Sequence, residues 1–335
     1  MPELIIIIII VFLALAFDVS NGWNDSANAI ATVVSTRVLS PVVAVVMAAV
    51  MNILGAFFTT AVAKTIGTGI VDPSAVIQPV VAAALLSGFI WNGLMTLLGM
   101  PVSASHALIG SLIGAAVAYG GINILNLKGL TKIFSSLLLS PLFGFIIGIL
   151  FMLLILKFFG NFSSGFVNKH FGRLQILSSS FMAFSHGSND AQKVMGIITL
   201  ALVSGGFIKS VDVPFWVMLI CAVAMGLGTA LGGWKVIKTL GMGMLKLQPI
   251  HGFAAETSAT LIILTSSHFG FPVSTTHVIS TSIMGVGATK RLSAVRWGIA
   301  GKIVLAWIFT LPLCGIMAWL ICKGFLLIKS QEILF

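Results

Sequence analysis

The sequence has very little charge. Of its 335 residues, 18 are Lys or Arg and 8 are Asp or Glu, so charged residues make up 8% of the chain, whereas 58% are hydrophobic. Soluble domains carry about 25% charged residues and about 45–50% apolar ones. A chain this poor in charge cannot cover a water-facing surface, which excludes a soluble enzyme and a nucleic-acid-binding protein. Its apolar runs have the length of about 20 residues that crosses a bilayer as a helix, and they predict an all-α polytopic membrane protein.

Other features are missing as well. The three cysteines (Cys221, Cys314 and Cys322) lie in apolar stretches without metal-ligand spacing, which excludes a disulfide framework and favours packing roles. There is no long hydrophilic segment for an ATPase domain and no GxxxxGK[ST] motif. No cofactor is predicted, and any transport would draw its energy from an ion gradient. The net charge of +10 fits Lys and Arg gathered in cytoplasmic loops better than a polyanionic partner.

The chain repeats itself. Three short blocks recur in the same order, at offsets of 165, 174 and 171 residues: 22–25 with 187–190, 64–70 with 238–244, and 101–106 with 272–277. Such internal similarity indicates duplicated structural units. We therefore predict two homologous halves, an N-terminal transmembrane repeat over 1–165 and a C-terminal one over 166–335.

Each half shows the same series of apolar segments. One of about 33 residues is interrupted by an Asn-Asp motif (4–36 and 172–204) and predicts a broken helix, and a long span follows (41–63 and 213–236). Two shorter pieces meet at a Pro-Val-Ser motif (77–99 with 104–120, and 250–269 with 275–288), and a last span closes the half (133–157 and 297–322). Irregular backbone at membrane depth is tolerated only against protein or a wet cavity, so each shorter pair predicts a re-entrant hairpin.

The loop charges favour an inverted repeat. If each half crosses the membrane three times, eleven Lys and Arg residues fall on one side and six on the other. If the 33-residue segments cross twice, the split is ten to seven. Because cytoplasmic loops are enriched in Lys and Arg, the first arrangement is favoured, with both chain termini outside the cell.

A few charged residues remain at membrane depth. Such residues cost at least ~2.5–3.5 kcal/mol on insertion scales and are functional candidates by default; they are Asp18, Asp25, Asp190, Lys193 and Glu256. Asp25 and Asp190 recur at matching positions, each preceded by Asn. Helix capping explains one such carboxylate, but not a matched pair. Broken helices between repeats hold coupling ions in secondary transporters, and the clustered oxygen donors suit a small cation: Asn21, Asn24, Asp25 and Asn28, then Asn189, Asp190 and Gln192.

The Pro-Val-Ser corners predict the opposite chemistry. Ser103 and Ser105 in one corner, and Ser274, Thr275 and Thr276 in the other, place hydroxyls at the start of an apolar helix. The first-turn N–H groups there are unpaired, and the helix dipole favours an anion. Capping or hydrogen bonding between helices is the structural alternative. An oxyanion beside two carboxylates requires cations between them, so the two motifs together predict symport, with protons able to replace metal ions.

Several neighbours have less definite roles. His106 and His277 follow the hydroxyl corners and read better as scaffold residues than as ligands. His186 lies four residues before Asp190 and could orient it, relay a proton or simply pack. Lys193 could pair with Asp190 or contact the anion, and its counterpart in the first half is Asn28.

These motifs resemble a known family. Gly-x-Asn-Asp followed by Ala-Asn-Ala (22–29) and His-Gly-x-Asn-Asp-Ala-Gln-Lys (186–193) are similar to the duplicated signature of the inorganic phosphate transporter (PiT) family, and the Pro-Val-Ser-x-[Ser/Thr]-His blocks to its second one. The resemblance covers almost the whole chain. It implies a compact prokaryotic member that imports phosphate by symport with sodium or protons, in the cell membrane. An inverted-repeat fold with both termini outside, and a homodimer, are implied too.

The resemblance also assigns residues. The phosphate site would be lined by Asn24, Asp25, Ser103, Ala104, Ser105, Asn189, Asp190, Ser274, Thr275 and Thr276. The sodium ligands would come from Asn21, Asn24, Asp25, Asn28, Asn189, Asp190 and Glu256, where Glu256 matches an acidic family position. Two alternatives stay open: a sulfate or other oxyanion permease on the same fold, and an anion channel.

Overall fold

The computed structural model describes residues 2–332, and this part of the chain is helical with no strand beyond an isolated antiparallel bridge between Val71 and Leu125. Residues 1 and 333–335 of the two predicted repeats lie outside the described residues. Twelve α-helices are described: α1 Pro2–Ser35, α2 Pro41–Gly55, α3 Ala61–Gly69, α4 Gln78–Leu98, α5 Ala104–Gly120, α6 Leu127–Phe159, α7 Ser164–Ser204, α8 Phe215–Leu231, α9 Trp234–Lys238, α10 Pro249–His268, α11 Thr275–Lys290 and α12 Trp297–Glu332.

The helices pack in matched pairs. Helix α1 packs on α8 as α7 packs on α2, α1 on α4 as α7 on α10, and α5 on α12 as α11 on α6. The α1–α4 and α7–α10 contacts lie within one half. The other four pairs join a helix of α1–α6 to a helix of α7–α12, so the two halves are packed into each other. The division at 165/166 falls just inside the start of α7; it stays a prediction, as does the inverted arrangement of the halves.

The hairpins lie where the sequence predicts them. Helices α4 and α5 meet at residues 99–103, and α10 and α11 meet at 269–274. In each corner a serine caps the second helix: Ser103 Oγ accepts a hydrogen bond from the His106 N–H (3.1 Å), and Ser274 Oγ accepts one from the His277 N–H (3.3 Å). A side-chain oxygen at this position satisfies a first-turn donor, which explains why both helices begin there. At 21 residues, α4 is long enough to span a membrane; re-entry of the hairpins stays a prediction.

The predicted break of the Asn-Asp segments is wrong. Helices α1, with 34 residues, and α7, with 41, run through their motifs without interruption. The interruption lies instead in the next element, predicted as one long span: α2 ends at Gly55 before α3 begins at Ala61, and α8 and α9 are bent by 64°. Gly232 adopts φ +67° at that bend, a backbone conformation that favours glycine. The Asn side chains of the motifs bond to other helices, so they do not compete with their own backbone.

The apolar surface agrees with a membrane protein. Among the described residues, four helices are long and apolar enough to cross a bilayer (α1, α4, α6 and α12), and the bent pair Phe215–Leu231 with Trp234–Gly243 would make a fifth. Large side chains such as Leu138 on α6 and Ile308 on α12 are exposed, as expected for contact with lipid.

Inside the bundle, two apolar clusters enclose a polar centre. One includes Phe17 and Leu85, the other Ile30 and Ile263. The polar residues of α1 lie between them along the chain.

On the surface, Lys64 pairs with Asp212 (2.8 Å). The hydrogen bond from Lys64 and its positive charge hold the pKa of the exposed Asp212 below its usual value.

Candidate functional site

The polar centre is formed where α1 and α7 pass each other. Asp25 and Asp190 are both 1% exposed. Two glycines let neighbouring helices approach closely at this level: a Cβ on Gly22 would lie 2.5 Å from the Met225 carbonyl oxygen, and one on Gly187 would lie 2.1 Å from that of Asn52. This close approach accounts for the glycine in each Gly-x-Asn-Asp motif.

The two carboxylates share their contacts. The Thr275 hydroxyl lies 2.9 Å from Asp190 Oδ2 and 3.4 Å from Asp25 Oδ2. His186 Nε2 lies 3.2 Å from Asp190 Oδ2 and 3.7 Å from Asp25 Oδ2. Ligand atoms of Asp25, His186 and Asp190 all fall within 4.8 Å of one another, so this group could hold a cation. The structure thus joins the two predicted aspartates through one threonine and one histidine.

Around this pair the halves contribute matching but unequal groups. Asn28 Nδ2 donates to Thr276 Oγ1 (3.0 Å), and at the equivalent place Lys193 Nζ donates to Ser105 Oγ (2.6 Å). Lys193 also forms an ion pair with Asp190, whereas Asp25 receives the Thr276 hydroxyl at 3.1 Å. One aspartate is therefore compensated by a fixed positive charge and the other by neutral donors.

The asparagines attach the two long helices to the hairpins. Asn24 Nδ2 donates to Thr96 Oγ1 (2.9 Å) and to the Met100 carbonyl (3.3 Å). Asn189 Nδ2 makes the equivalent bonds in the second half, to Ser267 Oγ (2.9 Å) and the Phe271 carbonyl (3.4 Å). These amide groups position the corners. Thr96 and Ser267 were missed by the sequence reasoning, although both are hydroxyl residues a few positions before the Pro-Val-Ser motifs.

The two corners are also bonded to each other. Ser105 Oγ donates to the Val273 carbonyl (3.0 Å). Thr276 Oγ1 lies 3.0 Å from the Val102 carbonyl oxygen and 3.1 Å from Asp25 Oδ1, and its one proton is shared between these two acceptors. The starts of α5 and α11 therefore converge on the carboxylates, with first-turn N–H groups that have no partner within their helices.

The predicted corner residues differ in what they offer. The Ser103 and Ser274 hydroxyls accept from their own helix starts, and Ala104 has no polar side-chain atom. The residue of the second corner that corresponds to Ala104 is Thr275, which contacts both aspartates. The hydroxyls of Ser105, Thr275 and Thr276 are instead bonded to the aspartates or to the facing corner, so each would exchange such a contact in order to bind an anion. The rings of His106 and His277 lie 4.6 Å apart, in line with scaffold roles.

A polar chain holds His186 in place. His186 Nδ1 lies 2.8 Å from Asn52 Oδ1, and Asn52 Nδ2 donates to Thr229 Oγ1 (2.8 Å). The Thr229 hydroxyl in turn donates to the Met225 carbonyl (2.9 Å). If Nδ1 donates to Asn52, then Nε2 faces the carboxylates, which fits an orienting role. The sequence signal for this chain was a lone Asn in the apolar second span.

Glu256 forms a separate group. It is fully buried and receives hydrogen bonds from Thr32, Ser178 and Gln175, the last at 3.1 Å. Thr32 lies seven residues beyond Asp25 on α1, which corresponds to about 10 Å along the helix. The structure therefore places Glu256 apart from the paired aspartates. Asn21 is buried as well, on a turn of α1 before Asp25.

The centre has oxygen acceptors to spare. Asn24 Oδ1 and Asn28 Oδ1 are buried without a hydrogen-bond partner. Buried polar atoms are normally paired, so unpaired oxygens beside two carboxylates favour a bound cation. The converging helix starts, with the Thr275 and Thr276 hydroxyls that contact the same carboxylates, favour an anion. The arrangement can bind both at once.

A duplicated polar site buried between the helices of an apolar bundle is the architecture of a membrane transporter. The chain belongs to the phosphate transporter family, whose profile matches residues 21–318. It is 46% identical over 313 residues to a probable low-affinity inorganic phosphate transporter of Bacillus subtilis (strain 168), covering 92% of this chain and 94% of that one. A protein of the same description from Rhizobium meliloti (strain 1021) is 44% identical over 311 residues, covering 92% and 93%.

A solved structure has the same fold. It is described as the sodium-dependent phosphate transporter and matches with a TM-score of 0.89 at 26% identity, covering 96% of this chain and 99% of that one. The predicted family and the all-α polytopic fold are confirmed.

Proposed function

We propose that this protein imports inorganic phosphate by symport with sodium. The observation that carries the proposal is the pair Asp25 and Asp190, joined by the Thr275 hydroxyl and lying beside converging helix starts. A phosphate anion bound at the hydroxyls would be repelled by two carboxylates. Among the described residues, Lys193 is the one fixed positive charge in contact with them. Cations are needed to balance the negative charge that Lys193 does not compensate. Their binding is thereby coupled to that of phosphate.

Sodium is favoured over protons by the ligands. Asn24 Oδ1 and Asn28 Oδ1 are acceptors without donors, and neutralising an aspartate with a proton would leave them unpaired. A sodium ion would use the amide and carboxylate oxygens together. The solved relative is described as sodium-dependent, which supports the same choice. His186 would orient Asp25 and Asp190.

Phosphate is favoured over sulfate by hydrogen bonding. Protonated phosphate can donate to Asp25 or Asp190, whereas sulfate only accepts. The names of the relatives favour phosphate as well. A channel is the less favoured alternative, because the centre is closed, with Asp25, Asp190 and Thr275 each 1% exposed.

The remaining proposals concern placement. A cell-membrane location with both termini outside is supported by the distribution of Lys and Arg, and the inverted arrangement by the matched helix contacts. The homodimer stays an expectation from the family resemblance.

The test is radiolabelled phosphate uptake into proteoliposomes of the purified protein, with an imposed sodium gradient, an imposed proton gradient, or neither. Accumulation with sodium, abolished by Asp25→Asn and Asp190→Asn, is expected. Accumulation with protons alone would refute sodium coupling, and equal competition by sulfate would refute phosphate selectivity. Uptake that only equilibrates under all three conditions would refute symport.

A further inference from the structure

Asp18 is a buried carboxylate that the central site does not use. It is 0% exposed, and neither of its oxygens has a hydrogen-bond partner. No Lys, Arg or His among the described residues lies within ion-pair distance of it. An isolated buried carboxylate is strongly disfavoured unless it is paired or neutralised. Asp18 therefore requires either a proton or a positive partner that is not a side chain of the described residues.

Two asparagines lie at the same level. Phe17 packs against Gly88, and Asn24 bonds to Thr96, so α1 and α4 run side by side in the same direction. Residues 17, 21 and 24 share one helix face, as do 88, 92 and 96. This spacing places Asn21 and Asn92 on the facing sides of α1 and α4, at a level between these two contacts.

The three side chains offer buried oxygen acceptors that no protein group engages, and the Nδ2 group of Asn92 has no partner either. Asn21 is 1% exposed and Asn92 0%, and the Oδ1 atom of each has no partner. With the two Asp18 oxygens, this makes four unpaired oxygens and one negative charge in a region closed to water. Hard cations are bound by oxygen ligands of this kind. A single carboxylate matches the charge of a monovalent ion.

Comparison of the two halves argues against a packing role for Asp18 and Asn92. At the repeat offsets, the position of Asp18 is occupied by Ala183 and that of Asn92 by Ile263. Both are buried apolar residues, so this fold packs without polar groups at these places. Asp18 and Asn92 are therefore polar only in the first half, whereas the counterpart of Asn21 is His186.

We propose that Asp18, Asn21 and Asn92 form a second sodium site, separate from Asp25 and Asp190. Asp18 and Asp25 are seven residues apart on α1, about 10 Å along the helix. The titratable groups that interact electrostatically with Asp18 are His186, Asp190 and Lys193 of α7 and Cys221 of α8. Sodium here would reduce the repulsion between Asp18 and Asp190. The role in transport rests on the proposed symport, but sodium binding itself does not.

The experiment is equilibrium binding of ²²Na⁺ to the purified full-length protein without phosphate. The test variant Asp18→Ala/Asn92→Ile installs the apolar residues found at the equivalent positions of the second half, Ala183 and Ile263. The control is Ser87→Ala, which removes a buried hydroxyl of α4 that bonds to the Cys314 carbonyl, away from this set. The double variant is expected to bind one Na⁺ fewer per chain than the wild type, and the control the same number.

Thermal unfolding gives a second measurement. A ligand that binds only the folded state raises Tm, so replacing choline chloride with NaCl should stabilise the double variant less than the wild type and the control. Unchanged Na⁺ binding in the double variant would overturn the proposal, as would a change confined to the pH profile of uptake, which would make Asp18 a proton site. If the double variant binds one Na⁺ fewer but the wild-type protein does not accumulate phosphate in the uptake assay, symport is refuted and this sodium site is retained.

Discussion

Thr275→Ala removes the hydroxyl that touches both central carboxylates and leaves the residue found at the equivalent position, Ala104. Its contacts are 2.9 Å to Asp190 and 3.4 Å to Asp25. A hydrogen bond to a charged group contributes about 1.5–3 kcal/mol. Since about 1.4 kcal/mol corresponds to tenfold, we expect kcat/KM for phosphate uptake to fall roughly 10- to 150-fold.

The assay is initial-rate uptake of ³²P-phosphate into proteoliposomes over a range of phosphate and sodium concentrations. The matched control is Ser280→Ala, which removes a buried hydroxyl of the same helix that has no partner. The control should stay within about threefold of the wild type, because it removes no contact. A Thr275→Ala protein that folds and transports within threefold of the wild type would show that this hydroxyl does not organise the site.

Three further predictions concern stability and charge. Ser103→Ala removes the cap of α5 and should lower the free energy of unfolding by about 1 kcal/mol, with little change in KM; a large rise in KM would instead assign Ser103 to the anion. Gly187→Ala places a Cβ 2.1 Å from the Asn52 carbonyl oxygen and should cost about 1–3 kcal/mol of stability, seen as a lower Tm; an unchanged Tm would contradict the close helix contact. Lys193→Asn, which installs the residue of the first half, removes the ion pair with Asp190 and should abolish sodium-driven uptake while Lys193→Arg retains part of it; equal loss in both would point to shape rather than charge.

Much of the fold could be predicted because the signals are local or repeated. The corner helices begin at Ala104 and Thr275 as expected, since a Ser cap after proline is readable from a few residues. Duplication doubled that evidence. The same local reasoning failed at the Asn-Asp motifs. Asn and Asp disfavour helix interiors when they compete for their own backbone, but here Asn24 and Asn189 are bonded to α4 and α10.

The composition of the site was predictable, but its pairing was not. Asp25 and Asp190 stand out as charges in apolar sequence. That Thr275 contacts both, or that Glu256 lies apart with Thr32, depends on how helices far apart in sequence pack together. The real interruption did leave a signal at Gly232, which adopts a positive φ at the bend. Because the residues on both sides of Gly232 are apolar, the segment was predicted as one continuous span.

The differences between the halves bear on the direction of transport. If the halves are related by an inverted repeat, a perfectly symmetric chain would have inward-facing and outward-facing states of the same structure and, apart from the membrane, the same energy. Here Lys193 opposes Asn28 and Thr275 opposes Ala104, while Asp18 and Glu256 have apolar counterparts in Ala183 and Leu85. Each difference changes the charge or hydrogen bonding of one half only, so in such a repeat cations would bind the two states unequally. Since a ligand shifts a conformational equilibrium only through such differences in affinity, these positions, rather than the duplicated motifs, are where sodium would set the order of opening.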